Sequence, residues 1–225
     1  MNTKEQVLEL LSAGKISATE GEELLNALSQ HQRSRWQRWV NPFESLNPTL
    51  GLLLGAAGAL AGVILSRWNV RFDGALDLHA TPIPASVAGA LLEQAVAWPL
   101  LAVVLWSAAS LRVRQVRLVD FLSNVGVARL PYLIPALMAG AMKDQLSVPP
   151  EQLIKAPPPG LLLLSLVTVP AVVWVVTWLW QSFRTASGLR GPKAGLLFAG
   201  ALLVAEVLSK IVLGFLSVLL HHNGL

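Results

Sequence analysis

"TLGLLLGAAGALAGVILS" fills residues 49–66 without a single charged side chain. Coiled as a helix at 1.5 Å per residue, a run of this length reaches about 27 Å, close to the ~30 Å of a bilayer's hydrocarbon core. Four further apolar runs follow, at 85–108, 119–141, 160–181 and 194–220. Over its 225 residues the chain is 54% hydrophobic and only 13% charged. That is about half the charge of a soluble domain, which carries roughly 25%. The mean hydropathy is +0.57. The pattern predicts an all-α polytopic membrane protein of five transmembrane helices, preceded by a small cytoplasmic helical hairpin.

The basic residues set the expected orientation. Arg33, Arg35 and Arg38 precede the first span, Arg112, Arg114 and Arg117 separate the second from the third, and Arg184, Arg190 and Lys193 separate the fourth from the fifth. These nine face four on the other side: Arg67, Arg71, Lys143 and Lys155. The positive-inside rule therefore puts the N-terminus in the cytoplasm and the C-terminus outside. Trp106, Trp174, Trp178 and Trp180 gather toward the same cytoplasmic ends, as an aromatic belt does. The net charge of +4 thus points to anionic lipid headgroups at the cytoplasmic face and away from nucleic acid. Without cysteine there is no disulfide, thiolate nucleophile or thiolate-bound metal. The N-terminus carries no apolar core of signal-peptide length, so the first hydrophobic segment is expected to insert the chain.

Three regions are read along the chain: 1–29, 30–48 and 49–220. In the first, Val7, Leu8 and Leu11 share a helical face and Gly14 supplies a stop. Ser17 opens a second helix with Glu20 three residues on, a capping box, and Leu24, Leu25 and Leu28 form its apolar side. This hairpin is too short to fold unaided and is expected to pack on a partner or a second copy. In the second region, Trp36, Trp39, Val40 and Phe43 fall on one face, with Arg33, Arg35 and Arg38 beside them. It reads as an amphipathic linker lying on the inner leaflet, anchored by Arg35, Trp36, Arg38 and Trp39; an ordinary juxtamembrane linker is the alternative. Asn41-Pro42 and Asn47-Pro48 are both cap-then-proline starts, the second opening the first membrane helix. The loops "ATPIPAS" and "VPPEQLIKAPPPG" are proline-marked, the latter expected as extended chain.

Charges inside the spans are the candidates for a site. Glu93, Arg129, Glu206 and Lys210 each cost ~2.5–3.5 kcal/mol in hydrocarbon and should face the bundle interior and find partners. Asp120 lies near a span end, within reach of headgroups. Glu206 and Lys210 are four residues apart with the acid first, the favourable order for an ion pair on one helix. Arg129 has no acid three or four residues away, so an interhelical cluster with Glu93, Glu206 or both is expected. Pro131 and Pro135 beside it free backbone carbonyls near residues 127 and 131. A structural cluster and an ion or proton path are both open. Gly51, Gly55 and Gly58 share roughly one face, a small-residue pattern for close helix packing.

No phosphate-binding glycine loop, His-Glu-x-x-His, Gly-x-Ser-x-Gly or pair of intramembrane aspartates occurs. No enzyme chemistry, cofactor or metal site is therefore expected, and the terminal His221-His222 pair lacks a third ligand. "LLSAGKISATEGEELLNAL" resembles the short SHOCT-like hairpins at the ends of many bacterial envelope proteins. "FLSNVGVARLPYLIPALMAG" resembles a Yip-family span in which a short polar turn leads into a proline-bearing run. "WVVTWLWQSFRTASGLRGPKAGLLFAGALLVAEVLSKIVLG" is similar to the closing part of bacterial Yip-like proteins. The resemblance covers about residues 49–220 and implies five spans, a bacterial cytoplasmic (inner) membrane and no catalytic residues. The function expected is a non-enzymatic membrane scaffold or accessory subunit of a membrane complex, a transporter complex being one candidate, partnered by another membrane protein or by itself. The alternative is a small transporter or channel built on Glu93, Arg129, Glu206 and Lys210.

Overall fold

The computed structural model describes residues 3–17, 19–25, 41–68, 70–72, 74–80, 85–142 and 159–222. The expected anchor residues Arg35, Trp36, Arg38 and Trp39, Leu28 of the hairpin and most of the second proline-rich loop lie outside them. The chain divides into two units, Met1–Ser45 and Leu46–Leu225.

In the first unit, α1 runs Thr3–Ser12. It stops because Gly14 adopts φ +67°, a conformation natural only to glycine. The N–H groups of Gly14 and Lys15 then turn back to the carbonyls of Leu11 and Leu10. A second helix covers residues 19–25. Its capping box forms as expected: Ser17 N–H donates to Glu20 Oε2 at 2.8 Å, and Glu20 N–H donates to Ser17 Oγ at 3.3 Å. The backbone bond, then the Ser17 hydroxyl, hold the Glu20 carboxyl below its usual range. Gly21 sits against Leu11, where a Cβ would have no room. Val7 is buried, but Leu8 and Leu24 remain exposed.

The second unit holds five helices long and apolar enough to cross a membrane: Pro48–Trp68, Val87–Ser110, Leu118–Ala141, Pro159–Ser187 and Pro192–Val218. The all-α, five-span fold read from the sequence is present. The first comprises α2 (Pro48–Leu65) and a 3-10 turn, Ser66–Trp68. Asn47 caps α2 by accepting from Thr49 N–H at 2.8 Å. The second is α3 (Val87–Ser110), capped by Ser86. The third is discontinuous: α4 (Leu118–Ala128), a 3-10 turn (Leu130–Tyr132) and α5 (Leu133–Ala141). The break falls where Pro131 removes a backbone donor. The fourth and fifth are α6 (Pro159–Ser187) and α7 (Pro192–His222).

The broken third span is the centre of this unit. In its apolar 18-residue stretch 67% of residues are buried, against 17% in that of the fourth span. It packs on α2, α3 and α6, while α7 lies chiefly along α3. The α2–α4 crossing is tight because glycine meets glycine: a Cβ on Gly126 would lie 2.8 Å from the Gly55 Cα. The small-residue face of α2 therefore serves packing within the chain, with Gly51 against Ser123 and Gly58 against Leu130. At the end of the bundle near residues 180–200, Phe183 stacks on Trp180 at 6.2 Å and meets Phe121 and Phe198 at 6.3 and 5.7 Å. The guanidinium of Arg184 lies 5.7 Å over the Trp180 ring.

Candidate functional site

The residues between α2 and α3 do not stay outside the bundle. Two short strands, β1 (Val70–Arg71) and β2 (His79–Ala80), pair antiparallel and close a hairpin. Its base is pinned where Arg67 donates to the Ala85 carbonyl at 3.0 Å. Between the strands the chain turns inward, with Phe72 and Ala75 buried. The Tyr132 hydroxyl donates to the Leu76 carbonyl at 3.0 Å. Tyr132 stands in the break of the third span, nine residues before the end of α5, so the loop reaches into the bundle below that end. Irregular backbone at such depth is tolerated where protein surrounds it and its polar groups are satisfied.

The charged residues of the spans provide that satisfaction. Glu93 of α3 pairs with Arg71 at 2.7 Å and accepts from Phe72 N–H at 3.5 Å. Glu206 of α7 accepts from Leu76 N–H at 2.8 Å, and Ser209 Oγ accepts from Ala75 N–H at 3.1 Å. Lys210 forms a close ion pair with Asp77 and stands 3.8 Å from Glu206. His79 lies 3.6 Å from Asp77 on the other side. Gly74 passes so close to Glu206 that a Cβ there would meet its carboxylate at 2.6 Å.

Burial works to raise the Asp77 carboxyl. The hydrogen bond and charge of Lys210, with His79, outweigh it and hold the group below its ordinary value. The arrangement is therefore a latch: two acids, a serine and a lysine on α3 and α7 grip one loop.

Of the four intramembrane residues expected to cluster, three do their work through this loop. Arg71, read as a cation of the outer loop, is the actual partner of Glu93. The expected Glu206–Lys210 pair forms, but Lys210 approaches Asp77 more closely. Arg129 joins none of these contacts. It caps the end of α4 at the helix break, and among the described residues it makes no ion pair with Glu93 or Glu206. Glu206 and Tyr132 are near enough to act on its charge. Its Nη1 is buried without a hydrogen-bond partner. Arg129 lines a small cavity between α2, α3 and the broken span, together with Gly55, Gly58, Gln94, Trp98 and Gly126. Phe72 of the loop also lines it. Gln94 carried no signal in the sequence, since an uncharged amide in a span is unremarked until its surroundings are known. Away from this site, Arg117 approaches Asp120 at 4.0 Å near the start of α4.

Among the described residues no three His, Cys, Asp or Glu side chains gather as metal ligands. The chain matches no protein-family model, no curated protein and no solved structure.

Proposed function

We propose that this protein is a non-enzymatic integral membrane scaffold or accessory subunit, of the Yip-like kind, in a bacterial inner membrane with its N-terminus cytoplasmic. The observation that carries the reading is the latch. Glu93, Glu206 and Lys210 are engaged by a loop of the same chain, which suits structural charges better than groups on a transport path. Residues 1–45, the first of the two units, and the basic stretch 112–117 are the surfaces offered to a partner, another membrane protein or a second copy.

The test joins two measurements on the full-length protein. Affinity purification from the native membrane should recover a defined membrane partner, and deleting residues 1–29 should weaken that association while the spans still insert. Reconstituted proteoliposomes should show no flux across a panel of ions. Flux that Glu206→Gln abolishes without unfolding the protein would replace this reading with the transporter alternative.

A further inference from the structure

Arg129 is 9% exposed and Gln94 7%, yet neither makes a hydrogen bond through its side chain among the described residues. Both line the same cavity. A buried guanidinium left without a partner is strongly unfavourable, and the neighbouring cations avoid that state: Arg71 has Glu93, and Lys210 has Asp77 and Glu206. No acidic residue lines the cavity around Arg129. We infer that the cavity is a binding site for one small monovalent anion of halide size, held by the Arg129 guanidinium and the Gln94 carboxamide.

The rest of the lining fits that assignment. The Trp98 indole N–H is already committed to the Leu122 carbonyl at 2.8 Å, and the Tyr132 hydroxyl to Leu76. These two side chains wall the cavity while their donors work elsewhere. Arg129 and Gln94 are then the donors left to a guest, and a donor-rich cavity carrying a positive charge selects an anion. Three of the lining residues, Gly55, Gly58 and Gly126, carry no side chain that could fill the space. Size favours a small guest: the cavity offers about 20 Å³, room for one or two waters. A halide matches that space better than a lipid phosphate or a dicarboxylate. Water could accept one N–H but brings no charge of its own.

The test uses the full-length protein in detergent. Its unfolding midpoint is followed in chloride, bromide and gluconate at equal ionic strength. Chloride and bromide should raise the midpoint in a saturable way, as a ligand of the folded state does, while gluconate, too large to enter, should not. Gln94→Leu should require about tenfold more halide for half the shift, the effect of losing one hydrogen bond. Arg129→Gln should abolish the response, and Arg129→Lys should keep part of it. Should Arg129→Gln fail to fold, anomalous scattering from bromide in wild-type crystals gives the same answer by position, with a peak beside Arg129. Equal midpoints in all three salts, or bromide peaks elsewhere with only water in the cavity, would overturn the assignment.

Discussion

Leu76 and Glu206 stand 130 residues apart in sequence and share a hydrogen bond of 2.8 Å, the loop backbone donating to a carboxylate on α7. This bond explains why a membrane helix carries a glutamate at that position. The loop between the first two spans carries backbone donors into a region poor in water, and each must be satisfied there. Glu206, Ser209 and Glu93 supply the acceptors.

Glu206→Gln keeps an oxygen that can accept from Leu76 N–H, while Glu206→Leu removes it. The glutamine variant should lose less than about 1 kcal/mol and the leucine variant ~1–2 kcal/mol, because leucine leaves a half-buried donor unmet. Thermal unfolding in detergent measures both. Equal losses would mean that the negative charge, and not the hydrogen bond, holds the loop.

Asp77 gives the latch a dependence on acid. Its folded carboxyl titrates below the ordinary value of 3.8 because Lys210 and His79 outweigh the effect of burial. A depressed acid contributes stability above its unfolded value, and that contribution fades as pH falls through the folded value. The wild-type midpoint should therefore drop more steeply below about pH 4 than that of Asp77→Asn, with the two curves parallel at neutral pH. Parallel curves across the whole range would show that Asp77 and Lys210 do not interact in solution.

How far the sequence foretold this follows from the range of each interaction. The spans were legible because hydropathy is a local sum: 49–66, 85–108 and 160–181 differ from the observed helices by a few residues at their ends. The caps at Ser17 and Asn47 and the interruption at Pro131 were legible because each acts within four residues. The latch was not. Arg71 and Glu93 are close in sequence but face each other only once the loop turns inward, a turn that hydropathy does not mark. Lys210 was assigned to Glu206 by helical spacing, and its closer partner Asp77 lies 133 residues away. Arg129 was given an acid because an unpaired cation in a span is costly; the structure sets it beside a cavity that Gln94 also lines, with Glu206 within electrostatic reach but in no ion pair with it.

The contact of Gly55 with Gly126 predicts where the bundle tolerates no side chain. A Cβ on Gly126 would lie 2.8 Å from backbone and 2.9 Å from the Trp98 ring, and neither can move cheaply. Gly126→Ala should cost ~1–3 kcal/mol as α2 and α4 are forced apart. Gly200→Ala on α7, where nothing lies within 4 Å of the added atom, should be neutral or stabilising, since alanine favours the helix. Comparable losses at both positions would indicate that helix propensity, and not the crossing, governs the response.

The last prediction tests the docked loop in the membrane itself. The chain has no cysteine, so a pair introduced at Ala75 and Ser209 reports on those two positions alone. Ala75 N–H reaches Ser209 Oγ at 3.1 Å, which brings the two backbones within the range a disulfide spans. Ala75→Cys with Ser209→Cys should cross-link in native membranes under mild oxidation. Ala75→Cys with Ser217→Cys, two helical turns farther along α7, should not. The cross-linked protein also separates the two functional readings. A scaffold keeps its partner when the loop is fixed in place, because the loop is already docked in the working state. A transporter that opens by releasing the loop would lose its flux on oxidation and regain it on reduction. Failure of the pair to cross-link in the membrane would show that the loop does not rest on α7 there, and would remove the main support for the scaffold.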